Sequence, residues 1–446
     1  MFFYVVKSAF LSVFDERSAR RQFPSCIASR PTPSDSGSDR PGSGFIDANG
    51  SLLKAGEIDL SQPLVILEVS PKETESADET QTMYVSVPVS ILMDIANQNP
   101  DFQLEIQAPY GSYILPAALP SLIAGWDELL EENDWQAENI SFKLTLTDRT
   151  DDADIRKVLS LQLPSGKLVG AIVNVHLEIV DIQTGETLTE VSRFTEPIIR
   201  MIPISKELAP ESTTWGAFRY DETSGQFVFV PARLEQRDDR LYAVIRSNSN
   251  SVYVVVSNAI NFTDTEQHWG KAYVEQAAAK GLVHGTGDGK FAPDKVVTRA
   301  EFAAMLVRAL GPVDSSMSRD PAYEDVQPGA WYYSEVMQAK ELGLLDFVEG
   351  DRLLPNQPLT REEMARMVAA AVRSELQSLP EKPASLAVYR DQAAMDEAYL
   401  EDIQLMVTLG IMTGTGSAQF SPKGEATRAQ AAIVLLRTLA AMSWID

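Results

Sequence analysis

The chain has almost no cysteine and very little histidine. Cys26 stands alone among 446 residues, so no internal disulfide, cysteine-rich zinc site or iron–sulfur cluster can be built. His176, His268 and His284 are the whole histidine complement. That is too little for a histidine-based metal site, and neither metal nor cofactor is expected. Basic residues are outnumbered, 38 against 63 acidic, for a net charge of -25. This excludes nucleic acid as the principal partner, because phosphate binding needs a basic surface. It equally excludes a polybasic membrane-surface protein. No apolar run of about 18 residues exists, so no transmembrane helix is indicated.

Two chemical motifs are also missing. There is no Gly-x-Ser-x-Gly nucleophile elbow. Gly285-Thr-Gly-Asp-Gly289 lacks the Gly-Lys-(Ser/Thr) ending of a phosphate loop and the alternating ligands of a calcium loop, and reads as a turn. His176 falls on the polar face of a strand with Asn174 and Glu178, without partner histidines. The Asp151-Asp-Ala-Asp154 run reads as a solvated loop. Acidic pairs such as Glu131-Glu132 suit glycoside hydrolysis only at a defined separation, which sequence does not set.

What is present divides the chain. The start, Met1 to Phe14, is apolar, but Lys7 interrupts it and Asp15-Glu-Arg-Ser-Ala-Arg-Arg21 follows. This is a poor match to a secretory signal and fits a short amphipathic helix or a misplaced start better. Residues 26–44 are rich in Ser, Pro and Gly, so 1–44 is read as a flexible segment. Residues 45–260 form a β-rich module, with a candidate subdivision near 135. Phe102-Gln-Leu-Glu-Ile-Gln107, Ile140-Ser-Phe-Lys-Leu-Thr-Leu146 and Ala171 to Val180 alternate with period two. Helical spacing appears near 90–98 and 120–131. Short strands with turn signals between them predict a sandwich-like, partly α+β module.

After Asn261 alternation stops and a repeat begins. The first copy reads Phe262-Thr-Asp264, His268-Trp269, Gly281, Phe291-Ala-Pro293, Thr298-Arg-Ala-Glu301. The second reads Tyr323-Glu-Asp325, Trp331, Gly343, Leu353-Leu-Pro355, Thr360-Arg-Glu-Glu363. The third reads Tyr389-Arg-Asp391, Gly410, Phe420-Ser-Pro422, Thr427-Arg-Ala-Gln430. Val274, Ala277, Ala278 and Gly281 make one apolar helix face. Each glycine sits where a left-handed C-cap needs no Cβ. Each Thr with Glu or Gln three residues on is a capping box opening a second helix. A single helix pair cannot bury its own faces; three stacked pairs can.

This pattern resembles the S-layer homology domain, with motifs at 262–312, 323–374 and 389–440. The resemblance implies an all-α pseudo-threefold domain whose grooves bind anionic, pyruvylated secondary cell-wall polysaccharide. It implies that Arg299, Arg361 and Arg428 face the ligand carboxylate. Asp264, Asp325 and Asp391 would accept sugar hydroxyls or orient the site, and Trp269 and Trp331 would offer sugar-packing faces or structural wedges. An arginine fork matches a carboxylate, and the adjacent helix N-terminus attracts anions. The third motif has Ala398 in place of the tryptophan, and the second has Phe347 where the others have Gly285 and Gly414, so unequal grooves are expected. Val87-Pro-Val-Ser-Ile-Leu92, Gly111-Ser-Tyr-Ile-Leu-Pro116 and Gly225 to Pro231 are similar to β-rich segments that precede such motifs in large surface proteins.

The expectation is therefore a non-enzymatic, extracellular surface protein held on a Gram-positive-type envelope, with self-association in a surface layer as a further role. The competing expectation is a surface-anchored carbohydrate-active enzyme with its active site in 45–260. A third is an intracellular fragment of a surface-protein gene.

Overall fold

The computed structural model describes residues 44–47, 52–54, 58–70, 81–205, 214–222, 224–311, 323–376 and 378–446. The expected flexible segment up to residue 43 lies outside them. Up to Asn258 the order is β1 (Gly44–Asp47), β2 (Leu52–Lys54), β3 (Leu64–Glu68), β4 (Thr82–Pro88), α1 (Val89–Gln98), β5 (Gln103–Ala108), β6 (Gly111–Pro116), α2 (Trp126–Asn133), β7 (Ile140–Asp148) and α3 (Ala153–Gln162). It continues with β8 (Gly166–Leu168), β9 (Val173–Asp181), β10 (Thr187–Glu190), β11 (Arg193–Ile204), β12 (Trp215–Asp221), β13 (Gln226–Val230), β14 (Ala232–Arg237), β15 (Arg240–Ser249) and β16 (Val252–Asn258).

Among the described residues the strands form two sheets. The larger runs β13-β12-β16-β9-β7-β4-β1-β2, with β10 on β9 and β8 on β16; the smaller runs β14-β15-β11-β6-β5-β3. Period-two patterning sets the register. β7 and β9 place Phe142 opposite Ile179, Leu144 opposite Leu177 and Leu146 opposite Val175, all buried. The intervening pair, Lys143 and Glu178, faces outward and is joined at 3.1 Å. A one-residue slip would reverse these faces, so burial enforces the pairing. Both sheets feed one core, Val85, Phe142 and Leu177 from the larger and Leu104, Tyr113 and Ile245 from the smaller.

Two local readings are corrected. The helical spacing near 120–131 resolves into a 3-10 turn, Leu119–Leu122, and a separate α2 whose N-cap Gly125 has φ 68°. The Asp151–Asp154 run is not a free loop. Asp152 is the N-cap of α3, accepting the N–H groups of Asp154 and Ile155, and Arg149 pins its other oxygen at 2.6 Å. An aspartate at a helix start satisfies otherwise orphaned donors.

The helical part comprises α4 (Lys271–Ala279), α5 (Arg299–Leu310), α6 (Tyr333–Glu341), α7 (Arg361–Glu375), α8 (Leu400–Thr408) and α9 (Arg428–Ala441). Within it α4 packs on α9, α6 on α5 and α8 on α7, while α5 touches both α7 and α9. Each repeat's first helix thus leans on the second helix of the preceding repeat. Gly281, Gly343 and Gly410 take φ 72°, 68° and 68° at the ends of the first helices, the conformation for which glycine is suited. The segments before α5, α7 and α9 meet in a closed ring. Val297 N–H donates to Ala426 O (2.9 Å), Ala426 N–H to Leu359 O (2.8 Å), and Leu359 N–H to Val297 O (3.0 Å).

The β-rich and helical parts are joined by close contacts. A Cβ on Gly216 of β12 would stand 2.9 Å from Ala279 O. Asn258 donates to Ala279 O at 3.1 Å, and the Asp446 carboxylate accepts Leu234 N–H. Lys280 is buried in this seam. Its Nζ lies 4.4 Å from the Trp215 ring centroid and donates to Trp215 O at 3.3 Å.

Burial lowers the Lys280 ammonium from 10.5 to about 8, against the pull of Asp446. Between those values the unfolded chain binds the extra proton, so stability rises with pH across that window. Above about pH 10 ionisation of tyrosines in the unfolded chain opposes the rise, because burial raises the native pKa of Tyr110 and Tyr113. Denaturant titrations at about pH 7.5 and about pH 9.5 are expected to show a gain of about 2 kcal/mol in the native sequence and little in Lys280→Met. An equal gain in that variant would place the titrating group elsewhere.

Candidate functional site

The repeated side chains are positioned by the same local devices three times. Thr298, Thr360 and Thr427 accept the N–H groups of Glu301, Glu363 and Gln430, and the latter side chains accept the threonine N–H groups in return. These are complete capping boxes. They fix the first residue of each helix, and that residue is an arginine in all three copies.

Each arginine reaches into the loop of the next repeat. Arg361 donates from Nε to Phe420 O (2.9 Å) and from Nη2 to Thr413 O (2.8 Å). Arg428 does the same to Phe291 O (2.9 Å) and His284 O (2.7 Å). Each lies over the ring of the phenylalanine whose carbonyl it holds, at 4.9 Å and 4.6 Å. Arg299 is wired differently. Its Nη1 donates to Leu353 O (3.0 Å) and its Nη2 to Glu363 Oε1 (2.5 Å), while its buried Nε has no partner among the described residues. The ring beneath it is Phe347, at 5.4 Å. The second repeat has Leu353 in place of the phenylalanine, and Phe347 supplies the aromatic face from six positions earlier.

The aspartates hold the same loops from the other side. Asp264 accepts the N–H groups of Phe291 (2.8 Å) and Ala292 (2.7 Å). Asp325 accepts those of Leu353 and Leu354, both at 2.9 Å, and Asp391 those of Phe420 (2.9 Å) and Ser421 (2.7 Å). Ala292, Leu354 and Ser421 each have positive φ, 59°, 55° and 59°, so the clamp sustains a strained backbone. Burial opposes ionisation of Asp264 and Asp391, but the paired N–H donors hold both carboxyls below the ordinary range.

The predicted residues therefore come together across repeats rather than within them: Arg299 with Asp325, Arg361 with Asp391, Arg428 with Asp264. The expected free helix N-termini are absent. The first two N–H groups of α5 donate to Gln357 O and Pro355 O, those of α7 to Gly424 O and Pro422 O, and those of α9 to Lys295 O and Pro293 O. With these donors taken, the positive charge at each seam is carried by its guanidinium group. Trp269 and Trp331 are 66% and 62% exposed, which removes the wedge alternative for both. Trp269 stands against His268 at 5.1 Å between ring centroids. The neighbouring Gly270 abuts Ala429, beside Arg428. The His268 Nδ1 accepts Gly270 N–H (3.0 Å), which leaves the proton on Nε2, 3.3 Å from Asp294. Trp331 lies 5.9 Å from the Arg308 guanidinium. Sequence reasoning missed the loop carbonyls and the role of Glu363 as partner of Arg299. The signal available was an arginine directly after the capping threonine in every copy.

Comparison with known proteins agrees with the repeat. The S-layer homology domain matches residues 261–303, 322–365 and 388–432. An amylopullulanase of Thermoanaerobacterium thermosulfurigenes is 28% identical over 54% of this chain and 12% of its own length. Exoglucanase XynX of Acetivibrio thermocellus is 31% identical over 41% of the chain and 16% of its own. The surface-layer 125 kDa protein of Lysinibacillus sphaericus is 27% identical over 42% and 16%. The chain thus spans less than a fifth of these relatives. The names of the first two overturn the expectation of a non-enzymatic protein. The domains and the surface-layer relative support an extracellular, cell-wall-associated location. No helix among the described residues is long and apolar enough to cross a membrane.

The clamp is open to direct test. Asp391→Ala leaves two loop N–H groups without acceptors, at about 1–3 kcal/mol each. Exchange of the Phe420 and Ser421 amide hydrogens is expected to quicken by at least tenfold while the α9 amides stay protected; unchanged exchange would show that the clamp does not hold the loop. The clamp, the arginine strap and the capping box recur at matched positions, and residues 261–432 of this chain are three tandem S-layer homology domains.

Proposed function

We propose that this chain anchors carbohydrate-active machinery to the bacterial cell wall. The helical region, 262–312, 323–374 and 389–440, is read as one all-α pseudo-threefold anchor, supported by the closed hydrogen-bond ring of Val297, Ala426 and Leu359. Its ligand is an anionic, pyruvylated wall polysaccharide lying in the seams between repeats. The observation that carries this reading is the recurrent pairing of a nearly buried arginine with a clamped aspartate across each seam, with an exposed tryptophan in the two repeats that retain one. The ligand carboxylate would meet guanidinium N–H groups left over from strapping the loop, and the tryptophans would pack on sugar faces. Several weak seams on one rigid body gain avidity through effective concentration.

Residues 45–260 are read as a sandwich-like module of a carbohydrate-active enzyme. The names of the amylopullulanase and exoglucanase relatives support this, and so does the single core shared by two sheets. The enzymatic half is tested by incubating the full chain with pullulan, cellulose and xylan and measuring released reducing ends. Release above a heat-inactivated control is expected, and none would reject it.

The anchoring half is tested by co-sedimentation of the full chain with sacculi before and after the wall polymer is stripped. Polymer-dependent pelleting is expected. Trp269→Ala is expected to weaken it about threefold to tenfold, the equivalent of about 0.5–1.5 kcal/mol for one aromatic contact. Arg428→Lys keeps the charge but loses the planar fork, and is expected to weaken pelleting further. Pelleting that ignores removal of the polymer would refute polysaccharide recognition.

A further inference from the structure

A cavity of about 1070 Å³ lies between the smaller sheet, β12 and the ends of helices α5 and α7. It is distinct from the seams between repeats and holds none of their residues. Its volume is at the upper end of the range for small-molecule sites. Arg193, Arg219, Arg246, Ser247, Ser249 and Trp444 line it. In a chain of net charge -25, three arginines around one cavity run against the prevailing composition.

Arg219 and Arg246 have few hydrogen bonds among the described residues. Among the described residues Arg219 has a single long hydrogen bond, 3.3 Å from Nη1 to Ser249 Oγ. Arg246 lies 5.7 Å from the Trp444 ring centroid, and its buried Nε has no hydrogen-bond partner among the described residues. Behind the Ser247 wall is Arg200, 2% exposed. It donates to Ser247 O (2.6 Å), Ile198 O (2.7 Å) and Asn250 Oδ1 (2.7 Å), between the rings of Tyr113 and Tyr253, each 5.2 Å away. Among the described residues no carboxylate is within ion-pair distance of Arg200, Arg219 or Arg246. Arg200 is buried and Arg219 and Arg246 are half-buried, and a desolvated guanidinium without a counter-ion is costly. The acidic residues on the cavity are Glu190, Glu196 and Glu375. All three are exposed, and Glu196 and Glu375 act on Arg246 through space only.

We propose that this cavity is a separate binding site for a carboxylated oligosaccharide, with Arg219 and Arg246 meeting the carboxylate and Trp444 with Ser247 and Ser249 meeting the sugar. Bidentate guanidinium–carboxylate pairing supplies the charge recognition. The Trp444 indole supplies an apolar wall, and the serine hydroxyls both donate and accept toward ring hydroxyls. Neither the wall anchor nor an enzymatic module depends on this assignment.

The test is calorimetric titration of the full chain with trigalacturonate as the acidic probe and maltotriose as the neutral one. Trigalacturonate is expected to bind, more weakly as salt rises, and maltotriose not to bind. Arg246→Gln and Arg219→Gln are each expected to weaken trigalacturonate by about tenfold or more. Both arginines are half-buried rim groups, so melting temperatures should hold, and sacculus pelleting of both variants should match the native chain. Absence of trigalacturonate binding, equal binding of maltotriose, or an affinity unchanged in both variants would overturn the proposal. Citrate binding as tightly as trigalacturonate would overturn the oligosaccharide assignment. Loss of pelleting in either variant would overturn the separateness of the site.

Discussion

The helical part depends on three backbone hydrogen bonds that no single repeat can make. Val297, Ala426 and Leu359 each donate to one neighbour and accept from the other, so the ring exists only when all three repeats are in place. A lone helix pair leaves an apolar face exposed and its threonine-capped segment unpaired. The ring supplies the pairing, and the faces of α5, α7 and α9 then close on one core that includes Phe302, Met364 and Leu435. Stability of this kind is shared between repeats. The functional side chains inherit the ring's geometry because each arginine follows the ring segment by only two residues.

That placement creates an electrostatic conflict which the neighbouring repeat resolves. A cation at the first position of a helix opposes the helix dipole. Burial further penalises it, lowering Arg361 to about 10 and Arg428 in the same direction. The Arg361 guanidinium remains charged at neutral pH, because about 10 is still well above it. What makes the position tolerable is the set of loop carbonyls from the next repeat, held in place by the aspartate clamp. The clamped loop thus has two duties. It caps the helix through its own carbonyls, and it supplies the acceptors that stabilise the arginine.

How much of this was legible depended on the range of the interaction. The capping boxes, the left-handed glycines and the apolar stripes are local, and periodicity and spacing located them. The outward pair of Lys143 and Glu178 follows from alternation once the register is known. The arginine straps were not legible, since they join Arg428 to carbonyls more than a hundred residues earlier, and a carbonyl has no signature in the sequence. The clamp was half visible: three aspartates, each two residues after an aromatic (Phe262, Tyr323 and Tyr389), were evident, but that both oxygens of each are occupied by loop N–H groups was not. The start of α3 was misread because consecutive aspartates suit both a solvated loop and a helix cap, and only Arg149 and the N–H groups after Asp152 distinguish them. The expectation of a non-enzymatic chain rested on missing motifs. Glycan-cleaving carboxylates have no fixed spacing in sequence, so that absence carried little weight against relatives named as enzymes.

The three seams are built alike but not equally. Seams closed by Arg361 and Arg428 share the same pair of acceptor carbonyls and the same phenylalanine beneath the guanidinium. In the seam closed by Arg299, Phe347 replaces the glycine found in the other two repeats. A Cβ at Gly285 or Gly414 would stand 2.9 Å from the ring of Phe262 or Tyr389, whereas Phe347 carries a full side chain there and its ring lies 5.4 Å from the Arg299 guanidinium. Arg299 pairs with Glu363, forming an ion pair instead of a second carbonyl bond. A guanidinium neutralised by a carboxylate is a weaker lure for an anion than one held by carbonyls. The tryptophans add a second inequality, because Ala398 leaves the third repeat without one. The seam joining the third and first repeats thus combines an arginine held by two carbonyls, Arg428, with an exposed tryptophan, Trp269.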